Sequence, residues 1–383
     1  MKTWALILLC AWLGACATPP DRPADARFFA DPLFAPPSTP VRVDEVFALS
    51  PAMTRYLEVD IADKLRSRGR QQALLDALYA KGELKLEYDS TMTRNAAQAF
   101  EARSGNCLSL AIMTAAFAKA LNVPVRFQSV VTDDTWARSG NLHFVIDHIN
   151  LSLGKQLTEM QRGAGFQEVL TVDFLPSQDL RHQRTRVLTE RTVLAMYMNN
   201  RAAETLARGR IDDAYWWARE AVVQDPGFTR AYNTLGVVYR RHGDLREAEQ
   251  ALAYALDQEP TNPQIVANLA QVMADQGRSA EAAAYRVRLS QLEAEPPYSQ
   301  YERGLAALRA GDPVAARQLF ERALARSPGN HEFLYGLALA YARMGDPQEA
   351  ARHLSLAMQS STSRSEHDLY AAKLDRLQSS LAH

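Results

Sequence analysis

Two features that direct many sequences to a class are missing here. Positive and negative charges nearly cancel, with 43 Lys and Arg against 44 Asp and Glu. There is therefore no electrostatic case for nucleic-acid binding. No apolar run reaches the roughly 18 to 20 residues that span a bilayer. The 383 residues, 47% of them hydrophobic, predict two or three packed domains.

The N-terminus has the pattern of an export signal. Lys2 precedes a short apolar stretch that ends in Leu13-Gly14-Ala15-Cys16. This resembles the bacterial lipobox, which implies a signal peptide over residues 1–15 and lipidation of Cys16. Ala17 after the cysteine favours sorting to the outer membrane of a Gram-negative bacterium, with the protein facing the periplasm. An ordinary signal peptide with a chance cysteine is the alternative.

Cysteine is scarce, and the positions of the three cysteines limit their roles. Cys10 leaves with the signal peptide and Cys16 becomes the anchor, so Cys107 remains alone and has no internal disulfide partner. Cys107 is either buried and inert or reactive. Seven prolines between residues 19 and 40 predict an extended tether over residues 16–45, which would hold the folded part away from the membrane.

Residues 46–180 combine helical and strand patterns. Apolar spacing predicts helices over residues 53–66, 71–81, 93–102 and 108–121. Residues rich in Val, Ile and Phe predict strands over 84–88, 125–132, 142–151 and 168–174, with a long loop before the last of them. Helices followed by strands indicate an α+β domain.

Cys107 is the candidate nucleophile of this domain. It follows the turn and cap residues Ser104-Gly105-Asn106, which predicts that the thiol lies at a helix N-terminus, where free N–H groups favour a thiolate and an oxyanion. His143 and Asp173 lie on successive predicted strands and are the expected base and orienting carboxylate. His148 is a poorer candidate because its odd offset predicts the opposite strand face. This chemistry needs no metal and no cofactor.

These residues carry a family resemblance. Gly105-Asn106-Cys107, an apolar helix ending in Leu121-Asn122-Val123-Pro124-Val125-Arg126, and the later His143 and Asp173 resemble the transglutaminase-like superfamily over about residues 80–176. The resemblance implies a papain-like α+β core and a Cys107–His143–Asp173 triad. The strand around His143 and the long segment before Asp173 depart from the family pattern.

A repeat of 34 residues occupies residues 195–364. Small residues recur in register, the clearest column being Ala214, Ala248, Ala282, Ala316 and Ala350. A period of 34 with small residues at helix crossings is typical of tetratricopeptide (TPR) repeats. The sequence therefore predicts five TPR hairpins without insertion, followed by a capping helix over residues 365–383.

First helices of such repeats line a concave face, which predicts a peptide-binding surface. Helical spacing assigns five side chains to it: Arg230, Asn233, Arg240, Tyr301 and Tyr335. Asn and Arg hold peptide backbones or carboxylates, and Tyr adds amphipathic contact area. A solvated scaffold surface is the alternative interpretation.

Together these patterns predict a lipid-anchored periplasmic thiol enzyme that acts on peptide or protein amides through a thioacyl intermediate. The TPR repeats would recruit the protein partner or substrate. Hydrolysis is favoured over cross-linking because water surrounds a periplasmic site. Two alternatives stay open: a non-catalytic TPR adaptor with a degenerate transglutaminase-like domain, and an assembly lipoprotein of an envelope machine. The sequence does not name the second oxyanion donor.

Overall fold

The structure is a computed structural model. It describes residues 24–79, 84, 86–139, 142–154, 170–172, 174, 184–292 and 298–381, and within residues 130–148 it describes the backbone only. The chain forms an α+β domain followed by an all-helical array, which confirms the fold class predicted from the sequence.

One long apolar helix forms the centre of the α+β domain. Helices α1, α2 and α3 span Pro51–Arg55, Ala62–Arg68 and Arg70–Tyr79, α4 spans Ala96–Ala102, and α5 spans Cys107–Ala120. The predicted helix over residues 53–66 is divided, because a turn of π-helix, Tyr56–Asp60, separates α1 from α2. Residues 107–118 of α5 are all buried, as expected for a helix without a polar face.

Two sheets accompany this helix. Glu87–Tyr88 (β1) and Ser104–Gly105 (β2) pair in parallel. The other strands span Val125–Ser139 (β3), Leu142–Leu153 (β4), Leu170–Val172 (β5) and Arg184–Leu188 (β6). They form an antiparallel sheet of order β5–β4–β3–β6, which packs on α5 mainly through β4. Strand β6 was not predicted. It is an edge strand whose residues 185–187 are exposed, so it lacks the apolar pattern of the other strands.

The C-terminal part consists of five helical hairpins and a final helix. The hairpins are α6/α7 (Glu190–Ala207, Ile211–Gln224), α8/α9 (Thr229–His242, Leu245–Gln258), α10/α11 (Pro263–Asp275, Ser279–Leu292), α12/α13 (Ser299–Arg309, Pro313–Arg326) and α14/α15 (His331–Met344, Pro347–Gln359); α16 spans Arg364–Leu381. This arrangement is the all-α solenoid of the predicted fold class.

Small residues allow the two helices of a hairpin to approach each other. The alanines of the clearest repeat column, from Ala214 to Ala350, have no exposed surface. A Cβ atom on Gly236 would lie 2.5 Å from Leu252 Cγ, and one on Gly304 would lie 2.5 Å from Phe320 Cε1. Both distances are shorter than side-chain packing permits. A small residue is therefore needed where the two helices of a hairpin touch, and these positions recur every 34 residues.

The packing of the array changes after α11. Helices α6 to α11 share a hydrophobic core with the α+β domain, whereas α12 to α16 form separate clusters. On α11 only Ala282 is buried, and Val287 remains 58% exposed. The constant spacing of 34 predicted one uninterrupted stack. Among the described residues the array instead has two sub-stacks, because α11 presents no apolar face to the next hairpin.

Residues 24–38 do not form the free tether that their proline content predicted. They run across the helices of the first two repeats, where Phe28 and Phe34 are buried. The Phe34 ring stacks on Tyr215 with 3.9 Å between ring centroids. Asp31 accepts hydrogen bonds from the Tyr215 hydroxyl at 2.5 Å and from Arg219 Nε at 2.9 Å. We call residues 24–38 the strap. Its aromatic anchors outweigh the preference of a proline-rich chain for a free extended state.

Among the described residues, no helix combines the length and the apolar content that crossing a bilayer requires.

We predict that the strap stabilises the first repeats. Phe34→Ala should lower the free energy of unfolding by about 3 kcal/mol, because it removes a buried ring and leaves a cavity against Tyr215. Chemical denaturation measures this change. Leu33→Ala is the matched control, since Leu33 is 45% exposed. Equal losses in the two variants would contradict a docked strap.

Candidate functional site

Cys107 is the first residue of the thiol helix α5, as the sequence predicted. Asn106 is the N-cap, and its Oδ1 atom accepts hydrogen bonds from the Ser109 N–H at 2.9 Å and from the Ser109 hydroxyl at 2.8 Å. The thiol residue is only 4% exposed. Its position combines the partial positive charge of a helix start with shelter from water, which suits a nucleophile or an oxyanion.

Gly105 allows the chain to pack closely before the thiol. A Cβ atom at this position would lie 2.7 Å from Ser109 Cβ in the first turn of α5. No larger residue fits without moving either the turn or the helix. The glycine two residues before the cysteine is therefore required by packing at the start of the helix.

Tyr88 is a component of the site that sequence reasoning missed. The parallel pairing of β1 and β2 places Tyr88 opposite Gly105. Its hydroxyl lies beside both the side chain and the backbone N–H of Cys107. Burial, followed by the charge of a nearby Cys107 thiolate, raises the pKa of Tyr88. The phenol therefore keeps its proton and can donate it in a hydrogen bond.

The only sequence signal for Tyr88 is its place as the last residue of the predicted strand 84–88. Nothing in the local pattern indicates that this strand end meets Gly105. The two segments are separated by α4, so their contact arises only in the folded domain.

The loop between β1 and α4 is also tied to the thiol helix. The Arg94 N–H donates to Ser109 Oγ at 2.8 Å, and the Asn106 side-chain amide donates to Thr93 Oγ1 at 2.9 Å. Arg94 forms an ion pair with Asp89 at 2.9 Å, with both side chains largely buried. The cap of α5 is thus held by a polar network.

The two other predicted triad residues are only partly located. His143 is the second residue of β4, and its backbone pairs with Arg138 of β3. Its side chain lies outside the described part of the chain, as does all of Asp173. The Cys107–His143–Asp173 triad therefore stays a prediction.

The strand register bears on which histidine accompanies Asp173. Val172, the residue before Asp173, pairs with Leu151 of β4. His148 lies three residues from Leu151, about 10 Å along the strand, whereas His143 lies eight residues away, about 26 Å. By backbone register His148 therefore lies nearer than His143 to the described end of β5, and the choice of His143 stays a prediction.

The five proposed peptide contacts have different environments. On α8, Asn233 Oδ1 accepts a hydrogen bond from Asn268 at 2.9 Å and Arg240 Nε lies 2.8 Å from Asp275. Arg230 is partly exposed. The first helices of repeats two and three therefore carry a row of polar side chains.

The two proposed tyrosine contacts both pack against neighbouring helices, and the structure contradicts the exposed position expected for Tyr301. Tyr301 is 6% exposed and packs against Phe320 and Phe333, so it belongs to the core of the fourth repeat. The Tyr335 ring packs against Tyr370 of α16, with 5.2 Å between centroids. Helical spacing alone did not reveal that these rings face neighbouring helices.

Two family models match the chain. Residues 59–152 match the Transglutaminase-like superfamily, and residues 239–300 and 307–372 match Tetratricopeptide repeat. The first range contains Cys107, His143 and His148 and ends before Asp173. No curated protein matches the chain.

Solved structures of TPR proteins resemble part of the chain. YrrB, described as a TPR protein with an unusual peptide-binding site, is 21% identical and covers 47% of this chain and 92% of its own, with a TM-score of 0.25. A thermophilic TPR protein of Thermus thermophilus, TTC0263, is 18% identical over 47% and 98%, with a TM-score of 0.28. The pilF protein of Pseudomonas aeruginosa is 20% identical over 50% and 87%, with a TM-score of 0.28.

We predict that Gly105 cannot be replaced without loss of stability. Gly105→Ala should lower the free energy of unfolding by about 2 kcal/mol, because the new methyl group overlaps Ser109 Cβ. Gly227→Ala is the control, since its Cβ would meet only a carboxylate oxygen of Asp225 at 3.2 Å. Chemical denaturation compares the two variants. A Gly105→Ala protein as stable as the control would show that the first turn of α5 yields easily.

Proposed function

We propose, because this chain joins a transglutaminase-like domain to tetratricopeptide repeats, that it is a thiol hydrolase of peptide or protein amides. The observation that carries the proposal is the environment of Cys107. A buried thiol at a helix start, with a tyrosine hydroxyl beside both its side chain and its N–H, is equipped to stabilise negative charge.

The proposed reaction proceeds through a thioester. The Cys107 sulfur attacks the amide carbonyl, forming a C–S bond and an oxyanion. Collapse of this intermediate breaks the C–N bond, and the proton taken from the thiol passes to the leaving amine. Water then attacks the thioester, releasing a carboxylic acid and regenerating the thiol. An amine in place of water would give cross-linking.

Tyr88 is the proposed second oxyanion donor. In the structure its hydroxyl lies beside the Cys107 N–H and the thiol. A substrate carbonyl oxygen entering this position would accept hydrogen bonds from the Cys107 N–H and the Tyr88 hydroxyl. To admit this oxygen the Tyr88 hydroxyl must leave the Cys107 N–H, while the pairing of β1 with β2 keeps the Tyr88 backbone opposite Gly105.

A histidine of β4 is the proposed base. Sequence order selects His143, and the pairing of Val172 with Leu151 favours His148. Asp173, directly after Val172, is the proposed orienting carboxylate, which would fix the imidazole tautomer.

The repeats are proposed to deliver a protein partner to this site. Both ends of the array meet the loop that follows β1. Near one end, α6 contacts Thr93, and beyond α15 the Thr362 carbonyl accepts the Ser90 N–H at 2.8 Å. A partner held by the array would therefore lie near Tyr88 and Cys107.

The proposed location is the periplasmic face of the outer membrane, with Cys16 lipidated. Ala24, where the strap begins, lies only eight positions after Cys16. Eight extended residues reach at most about 28 Å. Lipidation would thus hold the strap and the first two repeats close to the membrane, instead of on the long tether that the sequence suggested.

A non-catalytic adaptor is the second candidate. One observation favours it: Cys107 is almost fully buried, and the Tyr88 hydroxyl lies beside its side chain. In an adaptor this arrangement would be permanent, and the thiol would react slowly with any reagent. In an enzyme, by contrast, the thiol must react with an amide that is small enough to enter the site.

The function is tested with a peptide library that contains backbone and glutamine amides. We expect a thioester on Cys107, detected by mass spectrometry after acid quenching, and no product with Cys107→Ala. Replacing the true base should lower the rate at least about 100-fold. His143→Gln and His148→Gln are made separately, and the variant that keeps its base serves as the control for the variant that loses it. Product formation that survives Cys107→Ala would refute the mechanism, and an inert thiol with intact partner binding would support the adaptor.

We predict that Tyr88→Phe lowers kcat about 100-fold while KM changes little, because an oxyanion donor acts mainly in the transition state. Tyr56→Phe is the matched control. Its hydroxyl is buried without a hydrogen-bond partner among the described residues, and burial raises the pKa of Tyr56 to about 12. Its loss should leave kcat unchanged. A Tyr88→Phe protein with normal kcat would exclude Tyr88 from catalysis.

A further inference from the structure

Thr93 connects the repeat array to the α+β domain that carries Cys107, which we call the thiol domain. It is 1% exposed and lies in the loop between β1 and α4. Three side chains of the first repeat helix α6 reach it. Glu204 accepts its N–H at 2.6 Å, Asn200 donates to its hydroxyl at 3.3 Å, and Arg201 donates to its carbonyl at 3.3 Å. Every polar group of Thr93 therefore has a partner on α6.

The same threonine supports the cap of the thiol helix. Its hydroxyl oxygen also accepts the Asn106 side-chain amide at 2.9 Å. That contact orients the Asn106 side chain so that its other atom, Oδ1, caps the first turn of α5 through Ser109. A continuous set of hydrogen bonds thus runs from α6 through Thr93 and Asn106 to the residue next to Cys107.

Charge reinforces this connection. Arg201 and Glu204 form an ion pair at 3.2 Å with about four-fifths of each side chain buried. The pKa of Glu204 is raised overall by burial, although the Thr93 N–H and the neighbouring Arg201 act in the opposite direction. On the other side of the loop, Asp89 and Arg94 form a second largely buried pair. Removing one member of such a pair leaves a buried charge without compensation.

We propose that α6 is a positioning element of the thiol site, so that a helix of the repeat array sets the reactivity of Cys107. Asn200, Arg201 and Glu204 act through Thr93, which fixes the Asn106 cap and thereby the direction of the Cys107 N–H. The proposal rests on the proposed function in one respect, since it treats Cys107 as the reactive group. It adds that a partner which shifts α6 changes the reactivity of the thiol.

The experiment measures alkylation of Cys107 by iodoacetamide in the full chain, across the pH range in which thiols titrate. Thr93→Val keeps the shape of the side chain and leaves Asn106 without its acceptor. We expect alkylation to slow about threefold or more, and its pH profile to move. Thr93→Ser restores a hydroxyl and should restore both the rate and the profile.

A matched control separates this effect from a general loss of stability. Thr192→Val makes the same chemical change on α6, where the hydroxyl donates to Asp225 of the first repeat at 2.7 Å. Thermal unfolding is recorded for every variant. We expect Thr192→Val to leave the alkylation profile unchanged even where it lowers the melting temperature.

The decisive variants lie in the repeats. Asn200→Ala and Glu204→Gln should move the alkylation profile in the same direction as Thr93→Val. Profiles identical to wild type would overturn the proposal, whatever the enzyme assays show. A thiol that responds to α6 but forms no thioester would refute the hydrolase and leave the positioning role of α6 standing.

Discussion

The first turn of α5 is the constraint on which the rest of the site depends. An apolar helix buried on all sides has no solvent to satisfy the N–H groups at its start. The protein supplies polar groups instead: Asn106 caps the turn, and the Tyr88 hydroxyl lies beside the N–H of Cys107. Gly105 permits the close approach that this geometry needs. The N–H groups of the first turn have no partner within the helix, so other groups must bind them in the resting state. The same N–H groups could stabilise an oxyanion.

The first repeats are part of this arrangement. Helix α6 shares the hydrophobic core of the α+β domain and contacts Thr93 with three polar side chains. The strap crosses the first two repeats from the other end of the chain. These contacts make the first hairpins and the thiol domain one packed unit, whereas α12 to α16 have cores of their own.

Much of the fold could be predicted because its signals are local and repeated. The 34-residue period reflects helix contacts such as those of Gly236 with Leu252 and of Gly304 with Phe320. The start of α5 was also predictable, since Asn106 is a favoured cap residue. Strand β6 was missed because an exposed edge strand carries no apolar alternation. Tyr301 was misassigned because helical spacing gives a direction but not the neighbour in that direction.

The sequence by itself determined the type of each domain, the order of the repeats, and the location of Cys107 at a helix start. Only the tertiary structure brought Tyr88 to that cysteine, connected α6 to its cap through Thr93, and laid the strap across the repeats. The reason is physical. Helix periodicity and capping depend on residues within a few positions of each other, whereas hydrogen bonds between segments up to about 200 residues apart depend on how the packed elements meet.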